Sequence, residues 1–322
     1  MPFTFRNFPT ARDDLRTDVL AGLAARPKSI PPKYFYDETG ARLFEAICAQ
    51  PEYVLNRTEQ ALMTARLADI AAAVGPVDCI VEPGAGDCAK VRRLLDALHP
   101  AHLVVLDIAG APLAMAAETL SNDYPALDVT ALGMDFIHDL ETATPWLPAG
   151  RRLVYYPGSS IGNFPPDAAI ALLARFRRLA GEDGGLLIGF DLKKDPLRLH
   201  AAYNDAAGVT AAFNLNLLAR LNRELDADFD QAHFRHYAFY NPVEGRIEMH
   251  LVSLAEQIVS VAGEPVHFTL GETLHTEHSY KFRGDEFSAL AQTAGWQPAG
   301  EWTHDGFAVQ LYRQDRDRAW PR

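Results

Sequence analysis

A tight corner containing Gly84 and Gly86 follows a short apolar run at residues 79–81 and precedes a segment, 87–98, with a helical pattern. The apolar run predicts a buried strand, and Glu82 lies at its carboxyl end. Glycines let the backbone approach a ligand closely because they carry no Cβ. In an open α/β sheet, the corner between a strand and the next helix is where a nucleotide-like cofactor lies. We therefore expect a cofactor site at this corner.

The acidic residue that follows this corner leaves two cofactor classes open. Residues 84–89, GAGDCA, match the pattern G-x-G-x-x-G/A, and Asp107 follows Gly86 by 21 residues, near the ~20 expected for an acid that binds a ribose. Nicotinamide dehydrogenases and methyltransferases that use S-adenosylmethionine (SAM) both place a ribose on such an acid. The spacing alone does not separate them.

Two further features favour SAM over a nicotinamide. Glu82 suits the ammonium group of a methionine moiety, whereas a carboxylate here would oppose the pyrophosphate of a dinucleotide. Asp135 and Phe136 come just after a predicted strand at 127–132. They suit an adenine, because the carboxylate can accept from its exocyclic amine and the ring can pack against its edge. The residues of this series predict a SAM site.

The overall charge and the cysteines exclude several other classes of protein. The 322 residues include 30 basic and 42 acidic side chains, a net charge of −12, which gives no general attraction for nucleic acid or anionic membranes. The N-terminal residues lack the apolar core of a signal peptide, and no run approaches the ~20 apolar residues of a membrane span, so we expect a cytoplasmic protein. Cys48, Cys79 and Cys88 have neither metal-ligand nor disulfide spacing. We expect Cys79 and Cys88 to be small core residues, and we expect the protein to bind no metal ion.

Alternating helix and strand patterns predict a mostly parallel, doubly wound α/β sheet in the middle of the chain. The predicted strands are 79–81, 102–107, 127–132, 153–156 and 185–191, and the predicted helices are 58–73, 87–98, 111–124 and 167–180. After a helix at 215–225, period-two alternation predicts antiparallel strands at 233–241, 246–253 and 264–270. A helix at 284–294 and strands at 297–302 and 307–312 end the series.

This change of pattern predicts two domains. We expect a SAM-binding methyltransferase domain from residues 57–193 and 283–322, and a discontinuous α+β substrate-binding domain from residues 1–56 and 194–282. The N-terminal segment contains helical patterns at 13–25 and 44–48, separated by a loop at 27–37 in which prolines exclude regular structure. The aromatic residues of this loop fit either core packing or a lid.

Several motifs resemble the ergothioneine-pathway L-histidine Nα-methyltransferases, which convert histidine to its trimethylammonium betaine, hercynine. The similarity covers nearly the whole chain, and its motifs are PPKYFYDETGARLFEAICAQPEYVLNRTE (31–59), VEPGAGDCAK (81–90), GSSIGNF (158–164), AYNDAAGVTAAFNLNLL (202–218), RIEMHL (246–251) and TEHSYKF (276–282). The resemblance implies a Rossmann-like class I methyltransferase domain, SAM as co-substrate and L-histidine as substrate.

The resemblance also assigns residues to two sites. It implies a cofactor site at Tyr36, Gly84, Lys90, Asp107, Asp135 and Phe136. It implies a substrate site in which Tyr53, Asn163 and Tyr203 take catalytic roles beside Thr210, Phe213, Met249, Glu277 and Ser279. The loop departs from the family pattern at Pro83 and Asp87, which bears on cofactor affinity but removes none of these groups.

The chemistry of amine methylation suits these residue types. The amine must be neutral and aligned with the S–CH₃ bond, so positioning supplies much of the rate. Asn163 and Tyr203 are neutral donors for a substrate carboxylate. Glu277 and Ser279 are two residues apart, so on an extended segment both side chains point to one side and reach one imidazole, while His278 points away.

The quaternary product and the arrangement of the site give further expectations. Aromatic faces attract a quaternary ammonium by ~0.5–2 kcal/mol, and Tyr36, Tyr53 and Phe213 are the candidates for such a wall. The loop at 31–37 is expected to cover the cofactor. The substrate residues of three distant segments are expected to converge on the mouth of the glycine corner. No dedicated general base is evident, so the proton leaves through water or Tyr53.

Other functions stay open beside this one. The first alternative is an Nα-methyltransferase of another amino acid, such as tryptophan, although an indole needs a larger and more apolar pocket than one with a carboxylate at Glu277. A NAD-dependent oxidoreductase is a remote alternative, and a non-catalytic cofactor-binding module is another. We expect a monomer that acts on a small molecule and binds neither nucleic acid nor membrane.

Overall fold

The structure, a computed structural model, describes residues 3–8 and 13–314. The helices in chain order are α1 (Asp13–Ala24), α2 (Glu38–Cys48), α3 (Leu55–Val74), α4 (Arg92–Leu98), α5 (Gly110–Asp123), α6 (Pro166–Ala180), α7 (Pro196–Tyr203), α8 (Val209–Glu224) and α9 (Gly284–Thr293). The strands are β1 (Phe3–Asn7), β2 (Lys28–Ser29), β3 (Cys79–Pro83), β4 (His102–Asp107), β5 (Asp128–Gly133), β6 (Arg152–Tyr156), β7 (Gly185–Asp191), β8 (Phe234–Asn241), β9 (Arg246–Ser253), β10 (Gln257–Val261), β11 (Glu264–Phe268), β12 (Thr273–Tyr280), β13 (Trp296–His304) and β14 (Phe307–Gln314).

The chain forms two compact units. The first unit comprises Arg57–Leu192 and the described parts of Met1–Thr10 and Phe282–Arg322. The second unit comprises Lys193–Lys281 and the described part of Ala11–Asn56. No helix within the described residues is both long enough and apolar enough to cross a bilayer.

The first unit is built on one eight-stranded sheet, ordered β1-β5-β4-β3-β6-β7-β14-β13. Only β14 runs antiparallel to its neighbours, and the other pairs are parallel. The strand order reverses between β3 and β6, and open α/β sheets bind ligands at such a reversal, beyond the carboxyl ends of the strands. The predicted doubly wound, mostly parallel sheet is confirmed.

The first strand corrects the predicted domain boundary. Residues 1–56 were all expected in the substrate-binding domain, but β1 pairs in parallel with β5, with Phe3 opposite Val129, and so extends the sheet of the first unit. The prediction is wrong for this segment. The pairing joins residues more than a hundred positions apart, and a five-residue strand carries no local pattern that names its partner.

The helix after the glycine corner begins later than predicted. The helical pattern suggested 87–98, but α4 begins at Arg92. Cys88 has a φ of +56°, a left-handed conformation that an α-helix of L-residues cannot contain. The Asp87 carboxylate accepts a hydrogen bond from the Ala89 N–H at 3.0 Å, which holds this turn. The segment between β3 and α4 is therefore a long loop.

The second unit has a four-stranded sheet, ordered β2-β12-β9-β8, and a hairpin of β10 and β11. Helix α8 packs against α2, β8 and β9, and it buries Phe213 and Leu217 against Met249 and Leu251. The antiparallel strands predicted from alternation are confirmed for β8, β9 and β11. The expectation of no regular structure at 27–37 is wrong, because β2 and a short 3₁₀ helix, Pro32–Phe35, lie there. Proline fits the first turn of a helix, where its missing N–H has no intrahelical partner.

Candidate active site

The glycine corner and Asp107 come together in the first unit, as the spacing predicted. Gly84 and Gly86 have φ values of +70° and +55°, which favour glycine. The Gly86 N–H donates to one Asp107 carboxylate oxygen at 2.9 Å, and the other oxygen accepts from the Ala109 N–H at 2.9 Å. A Cβ added at Gly86 would meet no atom within 4 Å. The corner is therefore fixed by Asp107 and leaves open space beside its second glycine.

The predicted adenine-binding residues border the same corner. A Cβ on Gly84 would lie 3.6 Å from the Phe136 ring, and this ring is 6.3 Å from that of Tyr156. The preceding carboxylate, of Asp135, accepts from the Ile137 N–H at 2.9 Å and lies 2.8 Å from the His138 Nδ1. Local contacts thus orient the Asp135 side chain, which is 4% exposed.

A buried carboxyl lies under the glycine corner. Glu82 is 1% exposed, and its Oε2 has no hydrogen-bond partner among the described residues. Burial raises the pKa of Glu82 well above its ordinary value, against the opposing effect of Lys90. A buried polar atom without a partner costs ~1–3 kcal/mol, so a cationic ligand that bonds to Glu82 would recover this energy.

Lys90 is held by an acidic residue that the sequence did not single out. Its Nζ lies 2.7 Å from Glu59 Oε2, and the other oxygen of Glu59 accepts from the Gly158 N–H at 2.6 Å. Glu59 is 3% exposed. It connects Lys90 to the GSSIGNF loop, where Asn163 ends the short 3₁₀ helix Ser160–Asn163. This loop follows β6, so Asn163 and the glycine corner after β3 lie beyond the carboxyl ends of neighbouring parallel strands.

The aromatic residues predicted for the substrate wall form one cluster in the second unit. The ring of Phe213 lies 5.9 Å from that of Tyr36, and the Tyr53 ring lies 6.3 Å from that of Tyr203. Phe44 joins the two pairs, at 6.2 Å from Phe213 and 6.4 Å from Tyr53. Tyr36 is 40% exposed, so one edge of the cluster is open. Burial raises the pKa of Tyr53 well above its ordinary value, and this phenol therefore keeps its proton at neutral pH.

A β-bulge in β12 sets which face of the sheet Glu277 occupies. His275 is opposite His250, but Glu277 is opposite Met249, so Thr276 is one extra residue. If the pairing continued from His275 without a bulge, Thr276 would be opposite Met249, and Glu277 would be opposite Glu248 on the face of His275. The bulge therefore turns Glu277 to the face that Met249 shares with α8. Bulges commonly re-aim a side chain in this way next to active sites.

Glu277 and Ser279 share that face with a buried lysine. Lys281 Nζ lies 2.9 Å from Ser279 Oγ and 3.2 Å from the hydroxyl of Tyr203. Burial raises the pKa of Glu277 to about 7, and Lys281 opposes this effect. The ring of His278 stacks on that of His275 at 5.6 Å on the other face, which confirms that it points away from Glu277.

Thr210 lies where α8 begins. It is 3% exposed, and its N–H donates to Asp205 Oδ1 at 2.8 Å. The other oxygen of Asp205 accepts from the Val209 N–H at 2.7 Å. Asp205 therefore caps the first turn of α8, the helix that carries Phe213 toward the aromatic cluster.

The chain matches one protein family over nearly its whole length. Residues 15–314 match the family described as histidine-specific methyltransferase, SAM-dependent. The chain belongs to this family. It is 43% identical over 300 residues to the histidine N-alpha-methyltransferase of Mycolicibacterium smegmatis, covering 91% of this chain and 92% of that one. It is 41% identical over 297 residues to the protein of the same name from Mycobacterium tuberculosis, covering 90% and 91%.

The fold also resembles that of a solved structure. The crystal structure of the PH0226 protein from Pyrococcus horikoshii OT3 superposes with a TM-score of 0.50 and 12% sequence identity, covering 87% of this chain and 100% of that one. This likeness concerns the fold alone.

The SAM dependence of the family fits the side chains of the first unit. SAM carries an ammonium group, and Glu82 supplies a buried carboxyl with one unpartnered oxygen. The ribose and the adenine need acceptors and an apolar surface, which Asp107, Asp135 and Phe136 supply around the open space at Gly86. The individual binding roles stay predictions, as do the cover by residues 31–37 and the expected convergence of the substrate residues.

Lys281 and Glu59 were not among the predicted site residues, although they contact residues that were. Lys281 lies two positions after Ser279, and the alternation that paired Glu277 with Ser279 extends to it. Glu59 gave no such signal, because it lies on α3, far from the glycine corner in sequence. Its role depends on the tertiary contact with Lys90.

A group of residues that can hold a metal ion lies on the other face of the second sheet. One ligand atom each of Glu248, His250 and His275 lie within 4.8 Å of one another. Glu248 Oε2 is 3.2 Å from His250 Nε2, while its Oε1 accepts hydrogen bonds from Arg246 and Asn241. Spacing did not reveal this group because its members come from two strands. The expectation of an enzyme without a metal stays a prediction.

Proposed function

We propose that this protein transfers methyl groups from SAM to the α-amino nitrogen of L-histidine until hercynine, the trimethylated betaine, is formed. The observation that carries the proposal is the cluster of Tyr203, Ser279 and Glu277 around Lys281 in a member of this family. An imidazole has two ring nitrogens, and a carboxylate with a neighbouring hydroxyl matches them. The reaction fits the first step of ergothioneine synthesis.

The residues of the second unit would hold the amino acid while its amine reacts. Tyr203 is proposed to donate to the substrate carboxylate, and Asn163, which belongs to the first unit, is proposed for the same role. Tyr53 keeps its phenolic proton and would orient the amine by hydrogen bonding. In each round a C–N bond would form at the methyl carbon as the C–S bond breaks, and the sulfur would leave as a neutral thioether. After the first and second rounds the methylated ammonium would release a proton to water, and after the third it has none to release. Met249, Thr210 and Phe213 would line the remaining walls.

The residues of the first unit would hold the methyl donor, which supplies an electrophilic methyl group when bound. We propose that Glu82 bonds to its ammonium, Asp107 to its ribose, and Asp135 with Phe136 to its adenine. Lys90 provides a cation suited to the carboxylate of the methionine moiety, and Glu59 holds that cation in place. Tyr36, which belongs to the second unit, is also proposed as a cofactor-binding residue.

The aromatic cluster suits a substrate that gains positive charge as it is methylated. The trimethylated product has no N–H and cannot hydrogen-bond through its nitrogen. Cation–π contacts of ~0.5–2 kcal/mol with Tyr36, Tyr53 and Phe213 can hold it instead. Intermediates with one or two methyl groups would therefore stay bound or rebind.

The proposal is tested by incubating the protein with SAM and L-histidine and following product masses with time. We expect additions of one, two and then three methyl groups, ending at three. Parallel reactions with L-tryptophan test the alternative substrate, and calorimetry with SAM and with NAD tests the alternative cofactor. Absence of histidine methylation, or binding of NAD in place of SAM, would overturn the proposal. A reaction that stops at one methyl group would overturn the trimethylation.

A further inference from the structure

A buried cation links two residues that the proposed function places at opposite ends of the substrate. Lys281 is 1% exposed. Its Nζ contacts Ser279, proposed for the imidazole, at 2.9 Å, and Tyr203, proposed for the carboxylate, at 3.2 Å. It also opposes the effect of burial on Glu277.

We infer that Lys281 is a positioning residue that makes the pocket specific for a neutral imidazole. It fixes the hydrogen-bonding direction of two hydroxyl groups, and it balances the charge of Glu277. The inference rests on the proposed function, because it concerns how that substrate is recognised.

Lys281 sets the direction in which the hydroxyl hydrogens of Ser279 and Tyr203 point. A lysine ammonium has donors but no acceptor, so Ser279 and Tyr203 both accept hydrogen bonds from Lys281. Each hydroxyl must then direct its own hydrogen away from the ammonium. Ser279 becomes a donor toward the substrate side chain, and Tyr203 becomes a donor toward the substrate carboxylate. Without Lys281, either hydroxyl could rotate and present a lone pair instead.

The charge of Lys281 also affects the protonation of the substrate ring. A lone buried carboxylate favours a doubly protonated imidazolium. Lys281 adds a compensating positive charge, the phenol of Tyr53 also interacts with Glu277, and the hydroxyl of Tyr203 contacts Lys281 itself. The carboxylate and ammonium together are neutral, so they favour a neutral ring.

A neutral imidazole matches the resulting pattern of donors and acceptors. It has one N–H, which Glu277 accepts, and one nitrogen lone pair, which accepts from Ser279. An imidazolium has two N–H groups and would meet a donor at Ser279. An indole has an N–H but no ring acceptor, so Ser279 would lose its partner. Pockets with buried polar groups reject ligands that leave those groups unpaired.

The test compares Lys281→Met, which removes the charge, with Lys281→Arg, which retains it. A matched control is Lys28→Met, because Lys28 is also 1% exposed in the second unit but pairs with Glu272. For each protein, kcat and KM for histidine are measured across the neutral pH range, together with SAM affinity and thermal stability. Free histidine titrates identically in all assays, so differences between proteins report on the pocket.

We expect Lys281→Met to raise the KM for histidine by about tenfold or more, as loss of a charged hydrogen bond does, while SAM affinity is unchanged. The acidic limb of kcat/KM should move to higher pH, because Glu277 loses the cation that favours its ionised form. Lys281→Arg should recover part of both effects. Lys28→Met should lose stability but keep the KM and the pH profile of the unchanged protein.

Two results would overturn the role of Lys281. One is a Lys281→Met protein with unchanged KM and pH profile. The other is a loss of activity in Lys28→Met and Lys281→Met that simply follows their loss of stability. If Lys281→Met does not fold, Lys281→Arg is used to test the role. An altered KM for histidine with unchanged SAM affinity would support the role, and an unchanged KM would overturn it. Failure of the unsubstituted protein to methylate histidine would instead overturn the proposed function.

Discussion

At the scale of single residues, Glu277 combines a proposed binding role with a cost to stability. Burial raises its pKa to about 7 from an ordinary value of 4.5, with Lys281 opposing the effect. The folded protein therefore binds this proton more tightly than the unfolded chain does. Between these two pKa values, stability falls as the pH rises, because the carboxylate must ionise while buried. Such groups are common at functional sites.

The variant Glu277→Gln should separate function from stability. It keeps the size of the side chain but cannot ionise, so we expect a more stable protein at pH 8 and little change at pH 5. Histidine kcat/KM should fall by about tenfold or more, because a charged hydrogen-bond acceptor is lost. Thermal unfolding at both pH values and steady-state kinetics measure these effects. The control is Glu264→Gln, at an exposed position of β11. An unchanged histidine turnover in Glu277→Gln would remove Glu277 from substrate recognition.

A second prediction for a single residue is that Glu82 releases a proton when SAM binds. Burial raises its pKa well above the ordinary value, so Glu82 holds a proton more tightly than an exposed glutamate does. If Glu82 bonds to the ammonium of SAM, it must ionise, and binding should release a proton. Calorimetry in buffers of different ionisation enthalpy should therefore give different heats for the unchanged protein. Glu82→Gln should bind SAM more weakly and without this dependence, whereas Glu118→Gln, exposed on α5, should behave normally. Equal heats in all buffers would contradict the assignment.

At the scale of elements, the bulge at Thr276 decides what the second sheet presents to α8. The hydroxyl of Thr276 donates to Asn214 Oδ1 at 2.8 Å and also lies 3.1 Å from the Met249 carbonyl oxygen. The amide of Asn214 in turn donates to the His250 carbonyl oxygen at 3.0 Å. These buried bonds join α8 to both strands at the bulge, and so they hold the register that turns Glu277 toward Met249.

Replacing Thr276 by valine should loosen this register. The change keeps the β-branched shape but leaves the buried Asn214 oxygen without a donor, which costs ~1–3 kcal/mol of unfolding free energy. We expect a higher KM for histidine and unchanged SAM affinity, and Thr276→Ser should restore most of both stability and KM. Thr273→Val, on the same strand outside the bulge, is the control. Chemical denaturation and kinetics measure the effects, and a destabilised Thr276→Val with unchanged KM would show that the bulge does not position Glu277.

The elements also show what the sequence can predict and what it cannot. Strands β4, β7 and β9 begin and end where their patterns predicted, because each pattern reflects burial on one or both faces. Strand β12 was seen only as an extended segment, since its buried positions include Thr276 and Ser279 in place of apolar residues. A buried face that carries polar side chains erases the signal on which strand prediction depends. Strand β12 was therefore hard to predict because polar residues such as Ser279, which has a proposed binding role, replace apolar ones on its buried face.

Resemblance and physical pattern located different parts of the site. The glycine corner and Asp107 follow from spacing, and the structure joins them by a hydrogen bond. The aromatic cluster of Tyr36, Tyr53 and Phe213 came from family motifs, since no local pattern unites residues on distant segments. Glu59 was given no role, although it ends the family motif at 31–59, because its contacts with Lys90 and the Gly158 N–H are made only in the folded chain.

At the scale of the whole molecule, both units use the same electrostatic arrangement. Each contains a carboxyl whose pKa burial raises and a lysine that opposes the effect, Glu82 with Lys90 and Glu277 with Lys281. In the proposed function, each carboxyl meets a nitrogen group of a small molecule. The chain carries a net charge of −12, yet Glu82 is 1% exposed and Glu277 is partly buried. Ligand binding is therefore expected to depend more on pH than on salt, which screens exposed charges most strongly.

The described residues contain one group that can bind a metal ion, formed by Glu248, His250 and His275. Burial lowers the pKa of His275 to about 4, so its ring is neutral and able to act as a ligand beside Glu248 and His250. However, Glu248 is already paired with the Arg246 guanidinium at 2.9 Å, and that cation opposes a metal ion. The group also lies on the face of the sheet opposite Glu277. We therefore expect methyl transfer to need no metal at this position.

Prolonged dialysis against a chelator should leave the rate of histidine methylation unchanged, and elemental analysis should find far less than one metal ion per chain. His275→Gln removes one ligand and should likewise leave the rate unchanged, since the ring lies away from the proposed pocket. Added zinc should not stimulate either protein. The opposite result would be a rate that falls on chelation and returns with zinc in the unchanged protein but not in His275→Gln. It would assign a metal ion to this group and would show that the sheet face opposite Glu277 takes part in the reaction.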